Sequence, residues 1–174
     1  MKTALIYASK HGTTGLVAEK IRNLLIDDEV VLLNLDKQDR IELCNFGRII
    51  IGSPLYSGSP LPVVRKFIEQ NLLSLLQKEV GIFVCCMFSD KADKQINKGF
   101  PELLRNHARS IKNMGGEYRF EDMNYIERLV VKKISGTAGS VSEINAGNIE
   151  LFVRELTADA SQSCTTVSDS FVKL

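Results

Sequence analysis

The sequence contains no tryptophan, only two histidines and only four cysteines, and each scarcity excludes a class of site. His11 and His107 are too few and too scattered for a zinc or iron centre, so no metal is predicted. The cysteines show no C-x-x-C spacing, which argues against a metal knuckle or a dithiol redox motif. They are predicted to be small buried apolar residues, namely Cys44, Cys85, Cys86 and Cys164.

Charges of one sign are not in excess either, because the chain has 22 Lys and Arg and 21 Asp and Glu, which gives a net charge of +1. This balance gives no support for nucleic-acid binding. The longest apolar run, residues 80–88, is far shorter than the roughly 20 residues that span a bilayer. The first residues resemble a signal peptide only superficially. We therefore expect a cytoplasmic protein.

Short apolar runs alternate with helical patterns along the chain. The runs predict strands at 2–8, 29–35, 48–52 and 80–87, with a fifth strand near Tyr118. Helices are predicted at 13–27, 62–76, 95–112 (kinked or divided by Pro101), 124–134 and 148–156. Strand–helix alternation favours an α/β domain with a parallel sheet covered on both faces. Residues 157–174, rich in Ser, Thr and Asp, are predicted to be a loosely held tail.

The turn Ser9-Lys10-His11-Gly12-Thr13-Thr14 joins the first strand to the first helix and is rich in hydroxyl groups. The first N–H groups of a helix have no intrahelical partner, and the helix dipole makes that end positive. Gly12 leaves room for close approach, while Ser9, Thr13 and Thr14 add hydroxyl donors. The pattern predicts a phosphate site, and an ordinary capping turn is the alternative.

Two later loops also leave the carboxyl ends of strands, where parallel sheets bind ligands. The second loop, 52–60, offers Tyr56 and Leu55 for one face of a flat ring, and the third brings Phe88, Ser89 and Asp90 to its other edge. One phosphate loop with two ring-flanking loops indicates FMN. The alternatives are a solvent-facing Tyr56, a core Phe88 and a solvated Asp90.

Over residues 1–156 the chain resembles the flavodoxin-like family. Its phosphate turn is similar to the family's hydroxyl-x-hydroxyl-Gly-x-hydroxyl pattern at Ser9, Gly12 and Thr14, and departs from it at His11. Residues 1–14, 52–71 and 125–136 resemble the flavodoxin-type protoporphyrinogen IX dehydrogenases of haem synthesis. The resemblance implies a five-stranded parallel sheet in the order 2-1-3-4-5, with helices on both faces.

The resemblance also implies which residues contact FMN. The phosphate would be held by Ser9, His11, Gly12, Thr13 and Thr14, and one side of the ring would meet Ser53, Pro54, Leu55, Tyr56, Ser57 and Gly58. Phe88, Ser89 and Asp90 would approach the other edge. No catalytic acid or base is assigned, because the flavin carries the chemistry.

Two functions remain open at this point. One is an FMN-dependent dehydrogenase that passes electrons to a quinone or a redox partner protein. The other is a flavodoxin electron carrier with no substrate of its own. Carrier flavodoxins are typically strongly acidic, so the near-neutral charge of this chain favours the enzyme.

The helix predicted at 124–134 combines an apolar stripe with the basic residues Arg128, Lys132 and Lys133. The resemblance to quinone-linked dehydrogenases leads us to expect weak contact with the inner face of the membrane through these residues. The alternative is that the stripe packs on the domain while the basic side chains are solvated.

Overall fold

The computed structural model describes residues 1–38, 40–56, 58–87, 89–118 and 141–158. The predicted helix at 124–134 with Arg128, Lys132 and Lys133, and the tail from residue 159 onward, lie outside the described residues. Within those ranges, no helix is both long enough and apolar enough to cross a membrane. In chain order the elements are β1 (Lys2–Tyr7), α1 (Thr13–Leu24), β2 (Glu29–Asn34), β3 (Arg48–Tyr56), β4 (Ser59–Pro60), α2 (Pro62–Leu75), β5 (Glu79–Cys85), α3 (Ser89–Gly99), α4 (Glu102–His107), β6 (Ser110–Asn113), β7 (Glu117–Tyr118), β8 (Val141–Ser142) and α5 (Ala146–Thr157).

Five strands pair in parallel in the spatial order β2-β1-β3-β5-β6, and the short β4 pairs antiparallel with the end of β3. Counted among the parallel strands alone, this is the order 2-1-3-4-5, so the predicted fold class is confirmed. At the centre of the sheet, Ile6 of β1 lies between Leu33 of β2 and Ile51 of β3.

Successive residues of the central strands face opposite layers, because side chains alternate along a strand. Ile51 packs in a core cluster that includes Ile68 of α2 and residues of α3 and α4. Its neighbour Ile50 packs in a second cluster with Ile21 of α1 and Phe152 of α5. Both isoleucines are fully buried. Continuous apolar runs therefore mark strands covered on both faces.

The helix predicted at 95–112 is divided at Pro101 into α3 and α4, as predicted, but it is wrong at its end. Residues Ser110–Asn113 form β6, the fifth parallel strand. Ile111 is the only apolar side chain of β6, so the strand depends on its pairing with β5 rather than on a local pattern. Tyr118, expected in the fifth strand, pairs instead with Val141 in a separate two-stranded ladder.

Two of the cysteines match their prediction and one does not. Cys85 and Cys86 are buried free thiols, whereas Cys44 is exposed. Cys44 lies in the short 3-10 turn Leu43–Asn45, where Leu43 supplies the buried side chain. Cys164 lies outside the described residues.

An ionic network around Arg48, the first residue of β3, lies at the edge of the sheet where the parallel strands begin. This edge is called the amino edge below. This guanidinium is 5% exposed and contacts the carboxylates of Asp28 and Glu79. It also donates to the carbonyl of Leu156, near the end of α5, at 3.2 Å. Arg109 adds an ion pair to Glu79 at 2.8 Å. The network joins strands β3 and β5 to the last helix.

Replacing Arg48 by Met is expected to lower the free energy of unfolding by about 3 kcal/mol, because Asp28 and Glu79 lose the buried guanidinium that joins them. Urea unfolding followed by circular dichroism measures the change. The matched control is Arg22→Met, which removes a partly exposed pair with Glu19 and should cost less than about 1 kcal/mol. Equal effects of the two substitutions would contradict this role of Arg48.

The same network predicts how stability responds to acid. Burial raises the pKa of Asp28, but hydrogen bonds from Thr3 and the terminal amino group, and the charges of Arg48 and that amino group, lower it more. The pKa in the folded state therefore lies below the ordinary 3.8. Such a group stabilises the fold fully above its unfolded pKa and loses that contribution as the pH falls through its folded pKa.

Wild-type protein is accordingly expected to lose unfolding free energy below pH 3.8 more steeply than Asp28→Asn, which has no carboxylate to protonate there. Urea titrations at a series of acidic pH values measure both slopes. Parallel slopes for the two proteins would show that Asp28 has no such linkage.

Candidate cofactor site

Three loops leave the carboxyl ends of β1, β3 and β5, which are neighbours at the centre of the sheet. Because these strands are parallel, all three loops emerge at one edge. That edge lies opposite the Arg48 network, since Arg48 and Glu79 begin their strands. The three segments picked out by the sequence are thus brought to one place.

The first loop ends at Gly12, which precedes α1 with a φ of 84°. No described side chain caps this helix, so the N–H groups of its first turn keep no side-chain partner in the described part of the chain. A Cβ added to Gly12 would meet nothing within 4 Å, so the space beside it is open. The N–H of Ser9, in contrast, donates to the carboxylate of Asp36 at 3.2 Å.

Thr13 and Thr14 follow directly and are nearly buried, at 8% and 1% exposure. At the end of β5, burial raises the pKa of the Cys85 thiol to about 12, and the opposing influence of the Thr14 side chain is smaller, so the thiol is neutral. Cys85 thus adds no charge to the turn that is predicted to bind phosphate.

The second loop is a hairpin rather than an open loop. β3 continues through the predicted loop residues to Tyr56, and Gly58, with a φ of 81°, turns the chain into β4. The Ser53 side chain is fully buried; its hydroxyl donates to the Pro54 carbonyl and accepts from the Leu61 N–H. This geometry makes Ser53 a support of the hairpin and does not favour contact of its side chain with a ring.

The other predicted members of this loop differ in exposure. Pro54 is buried, Leu55 is half-buried and Tyr56 is 42% exposed, while Ser57 lies outside the described residues. Tyr56 is therefore the more exposed of the two, while Leu55 packs in part against the core.

Tyr56 joins the second loop to the first. Its ring meets the His11 ring edge-on, with centroids 6.4 Å apart and planes at 73°. The Lys10 ammonium nitrogen lies 5.6 Å from the centroid of the same ring, at cation–π distance. The predicted phosphate turn and the predicted ring contact thus touch. Lys10, within the motif but not chosen as a contact, belongs to this site.

The third loop begins at Cys86, whose backbone N–H and carbonyl both bond to the side-chain amide of Asn113. The Cys86 thiol lies 3.5 Å from Oε1 of Gln95. Phe88 lies outside the described residues, and Ser89 and Asp90 begin α3 rather than continuing the loop. The cofactor contacts predicted for these three residues stay predictions. Sequence reasoning missed Asn113 because the helix predicted at 95–112 hid the strand β6, of which Asn113 is the last residue.

With this geometry established, comparison with known families gives a clear result. A family model described as the flavodoxin domain matches residues 4–144, most of the chain. The chain belongs to the flavodoxin domain family. No curated protein matches the sequence.

Solved structures share the fold at low sequence identity. An NADH:FMN oxidoreductase in its apo form superposes with a TM-score of 0.61 and 13% identity, covering 93% of this chain and 92% of the other. A short-chain flavodoxin associated with a bacterial microcompartment gives 0.54 and 12%, covering 90% and 96%. The flavodiiron core of Flv1 from Synechocystis sp. PCC6803 gives 0.55 and 17%, covering 90% of this chain and 34% of that one. These likenesses concern the fold.

Proposed function

We propose that this flavodoxin domain binds FMN, with the phosphate at the Ser9–Thr14 turn and the ring beside the Tyr56 hairpin. The observation that carries the proposal is the contact of Tyr56 with Lys10 and His11, beside a helix N-terminus without a side-chain cap. A phosphate group and a flat ring joined by a short chain match a site with these two halves.

The donor set fits a phosphate monoester. The open space at Gly12 admits the group, and the first-turn N–H groups with the hydroxyls of Thr13 and Thr14 supply donors. Lys10 adds positive charge next to this turn. The Ser9 N–H is not counted, because Asp36 already accepts it. On the ring side, Leu55 and the exposed face of Tyr56 offer apolar contact area.

When bound, FMN would supply the transfer of electrons or hydride, and the chain's own residues would bind and orient it. Thr13 and Thr14 would fix the phosphate end. Tyr56, held by Lys10 and His11, would lie against the ring and keep water from that side. The described part of the site gives no side chain a defined acid–base role.

We further propose that the protein is an FMN-dependent oxidoreductase of the protoporphyrinogen IX dehydrogenase type, with a quinone as electron acceptor. Two features of the sequence support this activity over a carrier role: the similarity of residues 125–136 to those dehydrogenases and the net charge of +1. The second candidate is an electron carrier that serves a redox partner protein, which membership of the flavodoxin domain family favours.

FMN is expected to bind in preference to FAD or NAD, because one phosphate turn serves a mononucleotide. Replacing Thr13 and Thr14 together by Val should weaken FMN binding by about 2–4 kcal/mol, since each hydroxyl bond to a charged group contributes roughly 1.5–3 kcal/mol. Quenching of flavin fluorescence measures the affinity. Thr157→Val is the control, because that hydroxyl bonds only carbonyls at the end of α5. Wild-type affinity in the double variant would place the phosphate elsewhere.

The choice between enzyme and carrier is tested with FMN-loaded protein under anaerobic conditions. Protoporphyrinogen and a menadione-type quinone are added, and porphyrin fluorescence is expected to rise only when protein, FMN and quinone are all present. The variant with Val at positions 13 and 14, at an FMN concentration that saturates wild type alone, is the matched control. Absence of porphyrin formation, together with rapid electron exchange with a flavodoxin reductase, would favour the carrier.

A further inference from the structure

We propose that Asn113, the last residue of β6, is a positioning residue that sets the conformation of the third loop and through it the FMN site; this rests on the FMN binding proposed above. The amide is not among the residues that the sequence indicated. It reaches the loop from the neighbouring strand.

The side chain of Asn113 continues the sheet where its backbone pairing ends. The last backbone contacts between the two strands are the pair Val84 and Asn113 and the bond from the Met114 N–H to the Val84 carbonyl at 2.8 Å. Beyond that point, Oδ1 of Asn113 accepts from the Cys86 N–H at 3.1 Å and Nδ2 donates to the Cys86 carbonyl at 3.0 Å. Oδ1 also accepts from the Gly115 N–H at 3.2 Å.

Asn113 is itself held from the other side. Its backbone carbonyl accepts from the Asn148 side-chain amide at 2.7 Å. Asn148 lies in the first turn of α5, where the Asn145 side chain caps its N–H at 2.9 Å. The strand residue that carries this amide is thus bonded to a capped helix.

The contacts of Cys86 continue to the hairpin of β3 and β4. The Cys86 thiol meets Oε1 of Gln95 in α3, and Gln95 packs under the turn at Gly58, where a Cβ would lie 3.6 Å from Cγ of Gln95. Gly58 follows Tyr56 in that hairpin. One amide therefore influences both loops that flank the proposed ring site.

Only a neutral amide satisfies Cys86, because the backbone offers one donor and one acceptor side by side. An aspartate at position 113 would still accept from the N–H groups of Cys86 and Gly115. It would place a charged oxygen against the Cys86 carbonyl in place of a donor. Asn113→Asp therefore replaces one hydrogen bond by a repulsion and adds a negative charge, with almost no change of volume.

The test compares purified full-length variants for FMN dissociation constant, reduction potential of the bound flavin and free energy of unfolding. Asn113→Asp is expected to raise the dissociation constant about tenfold and to shift the potential, because the Cys86 carbonyl loses its donor and the loop rearranges. Asn71→Ala removes an amide that bonds to the Phe67 carbonyl in α2, and it is the matched control. This control should keep the wild-type affinity and potential.

Gln95→Met is the second variant in case Asn113→Asp does not fold, because it removes the oxygen that the Cys86 thiol meets and keeps a similar length. Weaker FMN binding with an unchanged unfolding free energy is expected. Wild-type affinity and potential in any folded variant at position 113, or affinity losses that merely follow stability losses across all variants, would overturn the positioning role. Failure of the wild type to bind FMN would overturn the proposed function first and this inference with it.

Discussion

Parallel pairing of β1, β3 and β5 is the constraint on which the candidate site depends. Tyr7 lies beside Gly52, and Gly52 beside Phe83, so the three strands approach their carboxyl ends side by side. No residue of the three loops is near the others in sequence, and the sheet register alone brings them together. The close strand packing has its own requirement, because a Cβ on Gly52 would lie 2.2 Å from the Phe83 ring. A larger residue there would disturb the strands that carry two of the loops.

The two edges of the sheet differ in how their polar groups are satisfied. At the amino edge, Arg48 is buried among Asp28, Glu79 and the end of α5, which fastens the strands to one another. At the carboxyl edge, Gly12 and Gly58 adopt left-handed conformations and the first helix begins without a side-chain cap. Under the proposal above, the backbone groups at this edge bind a ligand, so they do not stabilise the fold of the free protein. The stability depends instead on contacts such as those of Arg48 at the amino edge.

Local sequence patterns were sufficient for the parts of the molecule that they encode. The consecutive isoleucines of β3 and the strand–helix alternation predict the parallel sheet, and the hydroxyl-rich turn predicts the first loop. They were insufficient where a contact between distant elements decides the structure. β6 is a strand because residues 110–113 pair with 81–84, although Ile111 is its only apolar residue. Asn113, Gln95 and Asp36 act through such contacts, which no single segment reveals.

The two-stranded ladder of β7 and β8 has a consequence for how this fold can diversify. Tyr118 pairs with Val141, so the two ends of the stretch between them are held side by side. The ladder begins next to the third loop. Gly116, just before β7, packs so closely against Met87 that an added Cβ would lie 2.9 Å from Cγ of Met87. The entropic cost of closing a loop grows only slowly with its length. A stretch of different length between β7 and β8 would therefore change the stability little and leave the register of the parallel strands unchanged. The chain can therefore accept replacements of different length at this point while the core of the domain stays the same.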